Sequence, residues 1–171
     1  MNPQPKHPKS VKVIGIDPGL ADTGIGIVRG RGMEIRGFSY GSVHTSSRTR
    51  LPDRLECIYS RLEALFREEA PDLIVVEDIF SLEKYPTSGL TLGKVTGVIL
   101  LAACRAGARI VEVPVREAKQ VLTGNGNADK LQLEKSVRHL LNLKTPIRPY
   151  HASDALGLAM IGLFRYRHPA G

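Results

Sequence analysis

Four side chains in this sequence have the types and placement for metal-assisted chemistry: Asp17, Glu77, His151 and Asp154. Asp17 ends an apolar run, "VIGID", and is followed at once by Pro18 and Gly19. Proline crowds the preceding residue out of the helical region, and glycine permits a sharp turn after it. One carboxylate is thereby aimed from the end of a rigid strand. Glu77 ends a second apolar run, "LIVVE"; Asp78 follows but, by strand alternation, points to the opposite face. His151 and Asp154 stand three apart in "HASDALGLAM", hence on one face of a helix. Singly, each has an ordinary alternative: a turn residue for Asp17, a first-turn acid complementing the helix dipole for Asp154, a surface histidine for His151. Together, carboxylates brought close repel unless a cation neutralises them. Oxygen donors suit Mg²⁺ and Mn²⁺, and a histidine nitrogen favours Mn²⁺. Two such ions about 4 Å apart can activate a water and stabilise the leaving oxygen in phosphodiester cleavage.

These residues are useful only if the intervening elements bring them together. Val11 to Ile16 is rich in β-branched residues and reads as a strand; Thr23 to Val28 and Met33 to His44 read as two more, in an antiparallel meander. Pro52 to Glu69 has apolar residues at helical spacing (Leu55, Ile58, Leu62, Phe66). "DLIVVE" is continuously apolar, as a strand covered on both faces would be. Thr87 to Ala106 reads as a long apolar helix stopped by Gly107, "ARIVEV" as a fifth strand, and Pro114 to Leu122 as a short helix. Asn127 is the expected N-cap of a helix running to Leu141, and Tyr150 to Tyr166 the last helix. The order predicts an α/β fold: one mixed five-stranded sheet, strands one to three antiparallel, with helices on both faces.

The chain has 171 residues, 42% of them apolar, which is enough for one domain with a proper core. That domain is expected over 11–166, between a disordered basic tail (1–10) and a short C-terminal tail (167–171). The net charge of +7 favours a polyanionic partner. Cys57 and Cys104 have no zinc-like spacing and fit a reducing compartment, so a cytoplasmic location is expected. "MNPQPKHPKS" has no apolar core, so it is neither signal peptide nor anchor. "VTGVILLAAC" is too short to span a bilayer, so no membrane association is expected.

Four segments in this order, "GIDPGLADTGIGIV", "VVEDIF", "REAKQVLTGNGNADK" and "SDALGLAM", resemble the RuvC family of Holliday-junction resolvases, from Val11 to Phe164. The resemblance implies a ribonuclease H-like fold and a Mg²⁺- or Mn²⁺-dependent endonuclease with two ions per site. It implies symmetric nicking of two strands of four-way junction DNA in recombination and repair, with 5′-phosphate and 3′-hydroxyl ends. It further implies a homodimer working with the RuvA–RuvB branch-migration complex. Asp17, Glu77 and Asp154 match the family's acidic catalytic and metal positions; His151 matches a fourth that is Asp in some members and His in others. Two other readings stay open on the residues alone: a junction-binding module without catalysis, and an actin-like ATPase-type domain, since "GIDPG" is similar to a first phosphate turn.

Further residues are candidate DNA contacts. Lys119 and Lys130 flank the turn "TGNGN", and Lys130 sits in a helix's first turn, against the dipole. A solvated lysine would explain that placement too, but both match basic positions of the family. Backbone N–H groups of the turn are candidates for holding phosphate, as is Arg116. Phe80 enters a polar loop where it could cover the sheet edge or stack on an unpaired base; it matches a family aromatic near the junction centre. Gly89, Gly93 and Gly97 recur every four residues on one helix, at a cost of about 3 kcal/mol in helix propensity. Close helix packing, internal or against a second subunit, would offset it, and this helix is the expected dimer surface.

Overall fold

The computed structural model describes residues 10–78 and 86–166, with nothing to say of the side chains of 86–88. Its strands are β1 (Val11–Asp17), β2 (Asp22–Arg31), β3 (Glu34–His44), β4 (Leu73–Asp78) and β5 (Ile110–Pro114). The helices are α1 (Leu51–Glu69), α2 (Pro86–Arg105), α3 (Val115–Thr123), α4 (Lys130–Leu140) and α5 (Tyr150–Arg165). One five-stranded sheet runs in the order β3-β2-β1-β4-β5. β1, β2 and β3 pair antiparallel, whereas β4 joins β1, and β5 joins β4, in parallel. The mixed sheet and its antiparallel meander are as the sequence led us to expect. The expected tails lie outside the described residues, apart from Ser10.

Strand alternation divides the interior into two cores. Val11, Val13, Leu73 and Val75 face α5, with Leu156, Met160 and Ile161 from the helix itself and Leu133 and Val137 from α4. The intervening residues Ile14, Ile16, Ile74 and Val76 face the other way, against Ile58, Leu62 and Phe66 of α1 and Val95, Ile99 and Ala103 of α2. Helices thus cover both faces, and the central strands read as continuous apolar runs because neither face meets water.

Glycine sets how closely α5 lies on the sheet. A Cβ on Gly15 would stand 2.0 Å from the Ala155 carbonyl oxygen, and one on Gly26 would stand 2.4 Å from the Leu156 nitrogen. These two residues pair across β1 and β2, so they form one flat patch under the helix.

Two expectations about ends need correction. β2 is longer than the six residues read from the sequence, because β3 pairs with it along its length, with a register shift at Arg29/Gly30. The N-cap of α4 is Asp129, not Asn127. Asp129 accepts from the Gln132 N–H at 2.7 Å, and the Gln132 side chain accepts from the Asp129 N–H at 2.9 Å. This reciprocal capping box satisfies two donors at once, more than Asn127 could offer.

Candidate active site

Asp17 closes β1 and Glu77 lies next to last in β4. The parallel ladder pairs Ile16 with Val76, so one step further on the two acids stand side by side at the carboxyl ends of adjacent strands. Both belong to the residue set that faces α5, whereas Asp78 falls in the alternate set. The turn after Asp17 is tight: a Cβ on Gly19 would come within 2.3 Å of the Asp22 carbonyl oxygen, and Thr23 Oγ1 donates to the Gly19 carbonyl at 2.8 Å.

The helix delivers the other two groups. Asp17 pairs across the ladder with Gly24. A Cβ on Gly24 would lie 2.0 Å from the His151 carbonyl oxygen. With hydrogen there instead, the first turn of α5 settles directly over the ends of β1 and β2. His151 Nδ1 then reaches Asp17 Oδ2 at 2.5 Å. Asp154, one turn on, lies within the fields of Asp17, His151, Lys130 and Lys119.

The electrostatics are those of crowded acids in a poorly solvated place. Burial, then a hydrogen bond and charge repulsion from Asp17, push the Glu77 carboxyl up to about 9; Lys130 opposes this. Burial and the Asp17 charge raise Asp154 to about 6, against the pull of Lys130, His151 and Lys119. The bond to Asp17 raises His151, which remains partly open to solvent. Asp17 itself is 5% exposed.

This donor set fits a hard divalent cation. Asp154 Oδ1 is buried without a hydrogen-bond partner among the described residues, and the charge repulsion that adds to burial in lifting Glu77 and Asp154 is what a cation would relieve. As they stand, no three His, Cys, Asp or Glu side chains among the described residues are placed to hold a metal ion together. The present rotamers are those of acids and imidazole bonded to one another. A concavity of about 450 Å³ lies elsewhere, at the start of β1, lined by Val11, Arg31, Gly32, Glu34, Leu163 and Tyr166.

All four candidate site residues and both lysines therefore converge. The turn between the lysines does not act as expected. Every backbone N–H from Gly124 to Asp129 already has a partner within the protein: the Gln120 carbonyl, Thr123 Oγ1, Gln120 Oε1, Asn125 Oδ1, the Asn125 carbonyl and Gln132 Oε1, in order. No donor is left for phosphate, so the reading of this turn as a phosphate cradle is corrected. Arg116 packs on the same turn, its Cγ 3.0 Å from where a Gly126 Cβ would be. Phe80 lies outside the described residues.

Gly89, Gly93 and Gly97 all lie on α2. Among the described residues a Cβ on Gly97 would meet nothing within 4 Å, so packing among them does not account for that glycine. Sequence reasoning missed Gly15, Gly24 and Gly26, which let α5 descend. Their signal was the alternating glycines of "TGIGIV" facing "VIGID".

Comparison with known proteins gives consistent results. The family described as crossover junction endodeoxyribonuclease RuvC matches residues 13–162. A relative of that name from Syntrophomonas wolfei is 38% identical over 157 residues, covering 92% of this chain and 91% of the relative. Another from Rubrobacter xylanophilus is 37% identical, covering 92% and 88%. A solved structure, T. thermophilus RuvC in complex with Holliday junction substrate, superposes with a TM-score of 0.83 at 31% identity, covering 90% of this chain and 93% of that one.

Proposed function

The chain belongs to the RuvC family of crossover junction endodeoxyribonucleases, and from that premise we propose that it resolves four-way DNA junctions by nicking them at the Asp17–Glu77–His151–Asp154 site. Its fold is ribonuclease H-like, with the five-stranded mixed sheet of that class. The observation that carries the site assignment is the convergence of four groups from β1, β4 and α5 on one face of the sheet.

The residues divide the work. Asp17, at the centre, and Asp154, with its unpartnered oxygen, would hold Mg²⁺ or Mn²⁺, and Glu77 and His151 would complete the donor set. The chemistry such ions would supply there is activation of a water and stabilisation of the leaving oxygen of a phosphodiester. The His151–Asp17 bond fixes the imidazole and orients the Asp17 carboxylate. Lys119 and Lys130 place positive charge beside the acids, where a scissile phosphate would otherwise be repelled. Cleavage would leave 5′-phosphate and 3′-hydroxyl ends.

Two features extend the proposal. A homodimer places two such sites for symmetric nicking of a two-fold junction, and the unused space over Gly97 supports α2 as its surface. The junctions would come from a branch-migration complex of the RuvA–RuvB kind. Among the described residues no helix is long and apolar enough to cross a membrane, and the reading places the chain on DNA in the cytoplasm.

The test is a four-way junction assayed with Mg²⁺ and with Mn²⁺, beside a linear duplex of the same sequence. Paired symmetric nicks in the junction alone, lost in Asp17→Asn with binding retained, are expected. Binding without cutting under either metal would make the chain a junction-binding module. ATP hydrolysis without cutting would return the actin-like reading.

A further inference from the structure

The turn between α3 and α4 carries its own scaffold, and one side chain spans it. Gln120 donates from Nε2 to the Gly124 carbonyl at 2.9 Å and accepts at Oε1 from the Gly126 N–H at 2.9 Å. Gly124 takes a φ of 75°, open to glycine, where α3 ends. Thr123 Oγ1 donates to the Lys119 carbonyl at 2.8 Å and accepts from the Asn125 N–H at 3.1 Å. The two ends of this braced segment are Lys119, which directly precedes Gln120, and Lys130, which opens α4 behind the Asp129 capping box. An exposed glutamine has water for its hydrogen bonds, yet Gln120 commits both ends of its amide to a turn that already starts from its own helix.

We infer that Gln120 is a positioning residue: it locks the turn 124–127 so that Lys119 and Lys130 are held at a fixed separation beside the carboxylates. The turn is a strut and grips no phosphate itself. The catalytic consequence rests on the proposed junction cleavage; the geometric part does not. Because Gln120 lies outside both cores, its loss leaves the fold intact.

The experiment compares the full-length wild type with Gln120→Ala, Gln120→Glu, Lys130→Ala and the Gln120→Ala/Lys130→Ala double variant. It reads backbone amide exchange by NMR, junction affinity and the cutting rate. In Gln120→Ala the Gly126 amide should exchange about tenfold faster. Its kcat should fall about tenfold, as a misplaced group costs, with KM changed less than about twofold. Gln120→Glu keeps the acceptor for Gly126 and should recover part of both losses. Gln120→Ala should cost nothing further once Lys130 is gone. An unchanged Gly126 amide, unchanged cutting despite faster exchange, or losses that multiply in the double variant would each overturn the inference. So would inorganic phosphate shifting the amides of 124–129 in the wild type. Should the wild type cut no junction, the proposed activity fails, while amide exchange still decides whether Gln120 holds the turn.

Discussion

His151 Nδ1 and Asp17 Oδ2 lie 2.5 Å apart although 134 positions separate the two residues. The contact ties the first turn of α5 to the end of β1, and it raises the His151 imidazole as well as shaping the site.

His151→Ala should therefore cut junctions at least about tenfold more slowly, since it removes a proposed donor that also orients Asp17, and losing such orientation alone commonly costs about that much. Junction affinity should hold, because the imidazole faces the acids. His151→Asp, which keeps a donor, should restore cutting in part and shift the preference from Mn²⁺ towards Mg²⁺. Single-turnover rates with each metal measure this, and equal rates for all three proteins would detach His151 from the reaction.

Stability of the ion-free protein should fall as pH rises. Glu77 is raised from 4.5 to about 9 and Asp154 from 3.8 to about 6. A folded state that holds these protons more tightly than the unfolded chain has that advantage in full below the ordinary carboxyl values and loses it as pH climbs from there through the folded ones. His151, raised by its bond to Asp17, works in the same direction: its stabilising charge is present below about 6.5 and disappears as pH passes its folded value. Calorimetry of chelated protein between about pH 5 and pH 9 should show a declining Tm, flattened in Glu77→Gln. Mn²⁺ should raise Tm more at the alkaline end, where its ligands are already deprotonated. A Tm that rises with pH in the chelated protein would contradict this.

Gly24→Ala should damage both fold and site. Its Cβ would meet the His151 carbonyl at 2.0 Å, a backbone clash that α5 can relieve only by lifting. A loss of about 1–3 kcal/mol is expected from overpacking of this kind, together with slower cutting as His151 and Asp154 move away from Asp17. Gly37→Ala, with nothing within 4 Å of its Cβ, is the control and should do neither. Denaturant titration and junction cutting of the two variants give the comparison.

Gly97 should respond in the opposite way. Nothing among the described residues lies within 4 Å of its Cβ, so Gly97→Ala should stabilise the monomer by about 1 kcal/mol through helix propensity. Gly97→Leu should weaken subunit association while leaving the monomer folded. Sedimentation at several protein concentrations reads this directly, and an unchanged assembly in Gly97→Leu would move the interface off α2.

The acids at the strand ends were legible because a carboxylate is a poor fit to the end of an apolar strand unless something uses it. Asp17 and Glu77 both carried that mark, and the pairing of Ile16 with Val76 makes them neighbours. The start of α4 was misread because Asn127 and Asp129 are both good caps; Gln132, three residues past Asp129, was the discriminating signal. The turn after α3 misled for a different reason. Glycine-rich composition is the same whether the N–H groups await an anion or are bonded internally, and only the places of their acceptors, the side chains of Gln120, Thr123, Asn125 and Gln132 among them, separate the two. The close descent of α5 was hidden because strand glycines do not declare which distant helix will use the room they leave.

The division of the interior by strand alternation has a consequence for how this protein can change. The four proposed site residues hang beneath one side of the sheet, and α2 lies above the other, with a layer of buried isoleucine and valine between them. The outer surface of α2 can be remodelled, residue by residue, without disturbing the acids, and the acids can be retuned without remaking that surface. The two sides share the strands themselves, and in β4 the neighbours Glu77 and Asp78 face opposite ways.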